Sequence, residues 1–297
     1  MSRVLVIGAA NVDIIGVSKE IMLAHDSNPG SIDLYVGGVA KNIAENLKRL
    51  DVEVSLLTFI GNDAFADFLK HSFNEINLDY SLSFNLNHQS GKFVSIHQPD
   101  GQLAMAVNDF ELLNLLTPEM FEPLISQINT FDFLILDTNL PENVLVFLIN
   151  QFEHKPIAVD GVSAKKVIKI KNVLDKISLL KVNQAELSAL LERPVDDIIL
   201  SLKELLKTGV KKVIVTNGKN PITYNIDKSI YQTFIFEARK LVSSIGCGDA
   251  MFSGTIYGLL KGKTIHEAIN YGKKAASFTM EVSSACHPEL TCEILEN

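Results

Sequence analysis

"AKNIAENLKRLDVEVSLLTF", residues 40–59, places a helical pattern directly before a strand-like run and so decides the fold class. In the first half, Ile43, Ala44 and Leu47 recur at helical spacing, with charged residues on the opposite face. The second half contains "VSLLTF" (54–59), a short apolar run typical of a β-strand. Helices that alternate with short apolar strands are the signature of a parallel sheet wrapped by helices.

The same alternation continues through most of the chain. Further strand-like runs are "VLVIG" (4–8), "FLILD" (133–137), "PIAVD" (156–160), "SLLKV" (178–182) and "VIVT" (213–216). The sequence therefore predicts an α/β fold whose central, mostly parallel sheet is flanked by helices. Polar residues follow each run, and ligands of open parallel sheets bind beyond the carboxyl ends of the strands. This pattern favours a site at that edge over ordinary loop composition.

Residues 83–109 break the alternation. They carry the turn signals "HQSG" and "QPDG" between alternating residues, which predicts a small antiparallel meander. Residues 11–37 are also strand-like, and we expect the two segments to form a β-rich lid over the site; an ordinary edge hairpin is the alternative. The α/β core would then comprise residues 1–10, 38–82 and 110–297.

Composition narrows the function classes. The chain has 297 residues, of which 47% are hydrophobic, enough for a sizeable core in one large α/β domain or a domain with a modest appendage. Its apolar runs are too short to span a bilayer, and its first residues lack a signal-peptide cleavage site. Three cysteines without a C-x-x-C pattern exclude a disulfide framework and favour a cytoplasmic protein. With a net charge of −8 and no long basic cluster, we expect neither nucleic acid nor a membrane as partner.

Two segments resemble nucleotide-binding motifs without matching them. "GLLKGKT" (258–264) has three residues between its glycines, whereas a Walker A loop needs four. "GAANVD" (8–13) lacks the G-x-G-x-x-G pattern, which disfavours an NAD-dependent oxidoreductase. The sequence also contains no H-E-x-x-H or G-x-S-x-G motif, so zinc proteolysis and serine-esterase chemistry have no support.

"LVSSIGCGDAMFSGTIYGLL" (241–260) is the strongest chemical signal. Gly246 and Gly248, on either side of Cys247, allow the backbone N–H groups to converge at the start of a helix, where an anion is stabilised. Asp249 follows at once and is suitably placed to take a proton from an attacking hydroxyl during phosphoryl transfer. The alternative is a glycine turn in which this aspartate only caps the helix.

Two further motifs suit a polyhydroxylated ligand. "GGVAKN" (37–42) puts Gly38 at a helix start, where backbone can approach a ligand closely, and leaves Asn42 free to hydrogen-bond. Asn11 and Asp13 point the same way from an extended strand end, and a carboxylate with a nearby amide can bind vicinal hydroxyls. An Asx-turn explains the second pair equally well.

"NQAE" (183–186) places a carboxylate three residues after an asparagine at a strand-to-helix junction. Glu186 could hold Mg²⁺ through water, because this cation keeps most of its water ligands. A helix N-cap is the commoner cause of such a pattern.

Taken in order, these motifs resemble those of the ribokinase-like (PfkB-type) carbohydrate and nucleoside kinases over essentially the whole chain. The resemblance implies that ATP and Mg²⁺ are used, that K⁺ is a possible activator bound near "VSSACHPEL" (282–290), and that the sheet is of the ribokinase-like kind. It assigns catalysis to Asp249 with an anion hole at Gly246, Cys247 and Gly248; sugar binding to Asn11, Asp13, Gly38 and Asn42; nucleotide binding to Asn183, Thr216, Gly218, Gly246 and Gly248; and the metal to Glu186.

A narrower resemblance concerns "AHDSNPG" (24–30) and "DGVSAKK" (160–166), which are similar to segments of the bacterial pseudouridine kinases in this family. It implies that the 5′-hydroxyl of pseudouridine is the acceptor, with Asp26, Ser27 and Lys166 near the uracil or the lid. A solvated helix lysine is the alternative for Lys166.

The sequence also departs from the family pattern. Cys247 stands where alanine is usual, Pro221 where a second glycine of the nucleotide loop is common, and Gly161 where proline is typical. Another kinase of this family, acting on ribose, a fructose-type sugar, uridine or adenosine, remains an alternative, as does a non-catalytic ligand-binding protein of the same fold. Because exposed lid strands often pair between subunits, a homodimer is expected.

Overall fold

The computed structural model describes residues 2–296, which form a large α/β unit and a smaller sheet. The strands are β1 Val4–Ile7, β2 Asn11–Ser18, β3 Gly30–Gly37, β4 Val54–Leu57, β5 Phe59–Ile60, β6 Phe84–Asn85, β7 Lys92–His97, β8 Leu103–Asp109, β9 Phe133–Asp137, β10 Ile157–Asp160, β11 Leu179–Asn183, β12 Val213–Thr216, β13 Ile222–Ile226 and β14 Ser229–Thr233. The α-helices are α1 Val39–Arg49, α2 Ala64–Glu75, α3 Ile125–Ile128, α4 Glu142–Gln151, α5 Ala164–Val167, α6 Gln184–Leu191, α7 Ile198–Leu205, α8 Cys247–Leu260, α9 Ile265–Thr279 and α10 Cys292–Glu296.

The large sheet has eight strands in the order β14-β13-β12-β11-β10-β9-β1-β4. From β4 to β12 every neighbouring pair is parallel, and only β13 runs in the opposite direction, antiparallel to both β12 and β14. The prediction of a mostly parallel sheet flanked by helices is therefore confirmed. Such a sheet is covered on both faces, which is why its strands read as continuous apolar runs rather than alternating ones.

Two hydrophobic cores lie on opposite faces of this sheet. Along β1, Leu5 and Ile7 belong to one core, whereas Val4 and Val6 belong to the other, as the two-residue period of a strand requires. Helix α4 packs into the first core, and helices α1, α2, α8 and α9 pack into the second. The sheet is thus held between two helical layers.

The predicted strand 54–59 is divided in the structure. It ends as β4 at Leu57, and the chain continues as β5, which pairs with β6 in a separate two-stranded sheet. Between the two strands, the buried Thr58 donates from Oγ1 to the carbonyl oxygen of Gly8 over 2.8 Å. This bond ties the break to the end of β1.

The smaller sheet has four strands in the order β3-β2-β7-β8. The predicted antiparallel meander of residues 83–109 is only partly right: β7 and β8 form an antiparallel hairpin, but β7 runs parallel to β2, and β6 belongs elsewhere. One face of the sheet is apolar and exposed to solvent; we call it the outer face. It is formed by Ile32, Leu34, Ile96, Leu103, Met105 and Val107.

Within residues 2–296, none of the helices combines the length and the apolar character that crossing a membrane would demand.

Candidate active site

Polar residues end four adjacent strands of the large sheet. Asp137, Asp160, Asn183 and Thr216 are the last residues of β9, β10, β11 and β12. Asp137 is in register with Asp160, and Asn183 with Thr216. Parallel register brings all four to one edge, where ligands of such sheets bind. The polar run-outs of the sequence thus meet in space.

The glycine bend of residues 246–248 lies at this edge. Gly246 has φ 73°, in the left-handed region that favours glycine, and a Cβ there would overlap the carbonyl oxygen of Ala285. A Cβ at Gly248 would lie 2.9 Å from Nζ of Lys181. Helix α8 begins at Cys247, so the N–H groups of its first turn have no partner within the helix. The N–H of Cys247 donates to the carbonyl oxygen of Ser244 over 3.4 Å, and those of Gly248 and Asp249 are available to an anion.

Asp249 occupies the first turn of α8 and is buried. Its Oδ2 accepts a hydrogen bond of 2.7 Å from Nδ2 of Asn42. Burial, reinforced by the charge of Asp160, raises the pKa of Asp249 from 3.8 to about 7, although Lys181 and Asn42 act in the opposite direction. A carboxylate with this pKa is well matched to general base catalysis near neutral pH.

Lys181 is a buried cation at this site that the sequence analysis does not predict. Its Nζ lies 3.0 Å from Oδ2 of Asp160, and both residues are buried. Although burial alone would lower it, the pKa of Lys181 is raised to about 12 by Asp160, Asp249 and Glu186. A lysine inside the otherwise apolar strand "SLLKV" was the available signal, because a lysine in a buried strand must be paired.

Asp137, to which the sequence analysis gives no role, binds and positions the backbone of the site. It is fully buried and accepts hydrogen bonds from the N–H groups of Ala9 and Ala40, each over 3.0 Å. A Cβ at Gly8 would lie 2.5 Å from its Oδ2, so only glycine allows this approach. The carboxylate of Asp137 therefore holds the end of β1 against the start of α1, and burial raises its pKa.

The predicted sugar-binding residues are brought together. Nδ2 of Asn11 donates to Oδ1 of Asp13 over 2.5 Å at the start of β2, and burial raises the pKa of Asp13. Asn11 is in register with Gly37, which immediately precedes Gly38. Gly38 itself has φ 102° and caps the helix that carries Asn42. The side-chain pair, the glycine and the amide thus surround the start of α1.

Asp26 and Ser27 lie elsewhere. They are exposed in the connection between β2 and β3, and Oδ1 of Asp26 accepts a hydrogen bond from the N–H of Ser27. Asn11 stands at the opposite end of β2 from this connection. The structure does not bring the two residues beside Asn11 and Asp13, so their contact with a substrate stays a prediction.

Lys166 lines a cavity of about 510 Å³. Its ammonium donates to Oδ1 of Asn139 and lies 5.2 Å from the centre of the Phe110 ring, and burial lowers its pKa. Lys169 lines the same cavity and donates to the main-chain oxygens of Thr138 and Leu140. The alternative of a solvated helix lysine does not fit Lys166, whose side chain is partly buried, and its contact with a substrate stays a prediction.

A second cavity, of about 560 Å³, borders the glycine bend. It is lined by the predicted nucleotide-binding residues Thr216 and Gly218, by Cys247 and Gly248, and by an apolar group comprising Ile222, Ile235, Phe236, Met251, Ala276 and Met280. Burial raises the pKa of Cys247 to about 11, so its thiol stays protonated. Asn183 lines an adjoining cavity of about 690 Å³, which Thr216 and Gly218 also border.

Glu186 and Asn183 form a reciprocal helix cap at the start of α6. The main-chain N–H and Nδ2 of Asn183 donate to Glu186, and Oδ1 of Asn183 accepts from the N–H of Glu186. Burial raises the pKa of Glu186. Among residues 2–296 no group of three or more His, Cys, Asp or Glu side chains could hold a metal ion. A single buried carboxylate fits only a cation that keeps most of its waters.

Comparison with known proteins agrees with this geometry. The family model described as "pfkB family carbohydrate kinase" matches residues 1–292. The pseudouridine kinase of Escherichia coli (strain K12) is 26% identical over 293 residues, covering 97% of this chain and 93% of that protein. A carbohydrate kinase from Agrobacterium tumefaciens superposes with a TM-score of 0.87 at 30% identity, covering 100% of this chain and 96% of the other. Arabidopsis thaliana ribokinase complexed with ribose and ATP superposes with a TM-score of 0.85 at 20% identity, covering 100% and 99%.

Proposed function

The chain belongs to the pfkB family of carbohydrate kinases, which transfer a phosphoryl group to an alcohol, and from this premise we propose that it phosphorylates the 5′-hydroxyl of pseudouridine with ATP. The observation that supports this most is the buried Asp249 at the glycine bend, with a pKa of about 7. At neutral pH a large share of this carboxyl is ionised and able to accept a proton.

In the proposed reaction, the 5′-oxygen of the acceptor attacks the γ-phosphorus of ATP while Asp249 takes the proton of that hydroxyl. The bond from the γ-phosphorus to ADP breaks, and ADP leaves. The N–H groups of residues 246–248 and the start of α8 stabilise the charge on the transferred group. This charge is greatest during transfer, so these contacts are stronger in the transition state than in the bound ground state, and the difference lowers the barrier.

ATP would occupy the cavity of about 560 Å³. Its apolar side chains suit a flat base, and Thr216 and Gly218 border the path from there to the glycine bend. Asn183, next to Thr216 in register, would contact the phosphates. Mg²⁺ would be held by Glu186 through water, and when bound it neutralises phosphate charge.

Pseudouridine would lie between the Asn11–Asp13 pair and the cavity of about 510 Å³. The proposal places the ribose hydroxyls on Asn11, Asp13, Gly38 and Asn42. It places the uracil toward Lys166, whose ammonium donates to the neutral Asn139 side chain beside the Phe110 ring and can also donate to a base carbonyl. The similarity to the Escherichia coli pseudouridine kinase supports this choice.

A substrate panel tests the proposal. Purified protein is assayed for ADP release with pseudouridine, uridine, adenosine, ribose and fructose, each with and without potassium and with and without magnesium. We expect the highest kcat/KM with pseudouridine. A higher value with ribose or uridine would refute the acceptor while leaving the kinase assignment intact.

The variant Lys166→Met tests the assignment of the uracil cavity. It should lower kcat/KM for pseudouridine about tenfold, because the loss of one hydrogen bond to a buried partner raises the barrier by about that factor. The rate of ribose phosphorylation should stay unchanged. Lys165→Met is the matched control, since Lys165 lies on the same helix α5 but is exposed and does not line the cavity. An equal loss with both acceptors would contradict the assignment.

We further propose that the four-stranded sheet, within residues 11–37 and 83–109, acts as a lid that excludes water from the reaction.

The outer face of this sheet would form a homodimer interface. An exposed apolar face of this extent is typical of an interaction surface, and a second copy of the chain supplies an identical face to pack against it. Met105→Lys should then shift the protein from dimer to monomer in light scattering. Leu200→Lys, at an exposed apolar residue on α7, should not. A monomeric unmodified protein would refute the interface.

The cytoplasm is the compartment we propose. All three cysteines are free thiols, including the half-buried Cys247 and Cys292, which is typical of a reducing environment.

A further inference from the structure

Residues 285–288, here called the bridging loop, contact two parts of the site that are distant in sequence. The carbonyl oxygen of Ala285 lies against Gly246, in the space that a Cβ would need. The buried Cys286 places Sγ 3.8 Å from Oδ1 of Asn42, the residue whose Nδ2 binds Asp249. The loop therefore supports both the glycine bend and the amide that orients the carboxylate.

Arg49 anchors this loop to the end of α1. Its Nη1 donates to the carbonyl oxygen of Pro288 over 2.6 Å. Its Nε and Nη2 donate to Oε1 of Glu45, and Oε2 of Glu45 accepts from Lys41 over 3.1 Å. The side chains of Lys41, Glu45 and Arg49 are only 4%, 11% and 20% exposed. One row of charges thus runs along α1 from the substrate side to the bridging loop.

The stability of the fold does not explain why this row of buried charges is present on α1. Removing charged groups from water costs about as much as a buried ion pair returns, and apolar side chains of similar size are often equally stabilising. A guanidinium has a rigid donor geometry, however, and can hold a carboxylate and a carbonyl oxygen at fixed relative positions. That property suits a role in positioning the bridging loop.

We propose that Arg49 is a positioning residue for the kinase reaction: by holding Pro288, it sets the bridging loop, and through it the Gly246 bend and the Asn42 amide. The proposal rests on the proposed role of Asp249 as base. Since the bend stabilises charge that develops during transfer, a displaced loop should lower kcat and leave KM almost unchanged.

Arg49→Lys tests this directly, because lysine keeps the charge beside Glu45 but cannot serve two acceptors in fixed geometry. We expect kcat to fall about tenfold, with the KM values for ATP and acceptor within about twofold. Arg3→Lys is the matched control: Arg3 also joins a carboxylate, Glu53, to a main-chain oxygen, far from the site in the fold. An unchanged kcat, or a raised KM at unchanged kcat, would overturn the proposal.

A second variant tests the role of the bridging loop without changing Arg49, and so can be assayed even if Arg49→Lys unfolds. Cys286→Ala removes one atom from the loop's contact with Asn42 and should lower kcat in the same selective way. Combined with Arg49→Lys it should cost less than the product of the two single effects, because both act through one loop. Effects that multiply would contradict the shared route.

All variants are assayed with MgATP and whichever of pseudouridine, uridine or ribose the unmodified protein phosphorylates fastest. A wrong acceptor assignment therefore shows in the unmodified protein, and a wrong positioning role shows only in the variants.

Discussion

Asp249→Asn should remove the catalytic base while leaving the structure of the site intact. Asparagine has the same shape and can still accept the hydrogen bond from Asn42, but it cannot take a proton from an alcohol. General base catalysis contributes about 10²- to 10⁴-fold, so kcat should fall by about 10³, or roughly 4 kcal/mol of barrier. KM for ATP should change little, because the main-chain N–H groups of the bend are unaltered.

The same change should stabilise the protein. A pKa raised from 3.8 in the unfolded chain to about 7 in the native state means that the native state holds a proton more tightly. The wild-type protein therefore loses stability as the pH rises from 4 to 7, by at most about 4 kcal/mol, and stays at the lower value above pH 7. Asp249→Asn carries no such penalty, so at pH 8 it should be more stable than the wild type, and at pH 4 about equal to it.

The assay combines ADP release with urea unfolding at pH 4 and pH 8. Asp197→Asn serves as the matched control, because Asp197 also lies at a helix start, where it caps the distant helix α7. The control should keep the wild-type kcat. An Asp249→Asn variant that turns over at the wild-type rate would refute the base assignment, and one that is destabilised at pH 8 would refute the electrostatic reasoning.

The remaining predictions concern the pH profile, the bend and the metal. The kcat/KM of the wild type should fall tenfold per pH unit well below pH 7, as Asp249 becomes protonated; a rate that is flat to pH 5 would contradict this. Gly246→Ala should reduce kcat at least about a hundredfold, because a Cβ overlaps Ala285 and displaces the bend; thermal unfolding checks that the variant is folded. Glu186→Gln should raise the magnesium concentration needed for the half-maximal rate about tenfold. If the variant is less stable but its magnesium dependence is unchanged, Glu186 serves only to cap helix α6 together with Asn183.

Much of the fold could be predicted because its signals are local. The apolar runs 133–137 and 213–216 form strands with the expected bounds, and the helical pattern in the first half of residues 40–59 forms the helix Val39–Arg49. Strand pairing could not be predicted in the same way. The parallel contact between β2 and β7 joins segments about 80 residues apart, and nothing in either segment specifies its partner.

The residues of the site also differ in whether local sequence is enough to recognise them. Motifs that require special backbone geometry, such as Gly246 and Gly38, could be recognised because only glycine tolerates their conformations. Asp137, Asp160 and Lys181 were not assigned, because their roles arise from burial and from neighbours on other strands. Residues 285–288 carried no local motif that linked them to Asn42 or Gly246; that contact exists only in the folded chain.

The role of Asp249 as base is tested most directly by a crystal structure of the protein with pseudouridine and a non-hydrolysable ATP analogue. We expect the 5′-oxygen within about 3 Å of the Asp249 carboxylate, and the terminal phosphate hydrogen-bonded to the main-chain N–H groups of residues 246–248. A terminal phosphate bound away from this bend, or a carboxylate turned from the 5′-oxygen, would contradict it.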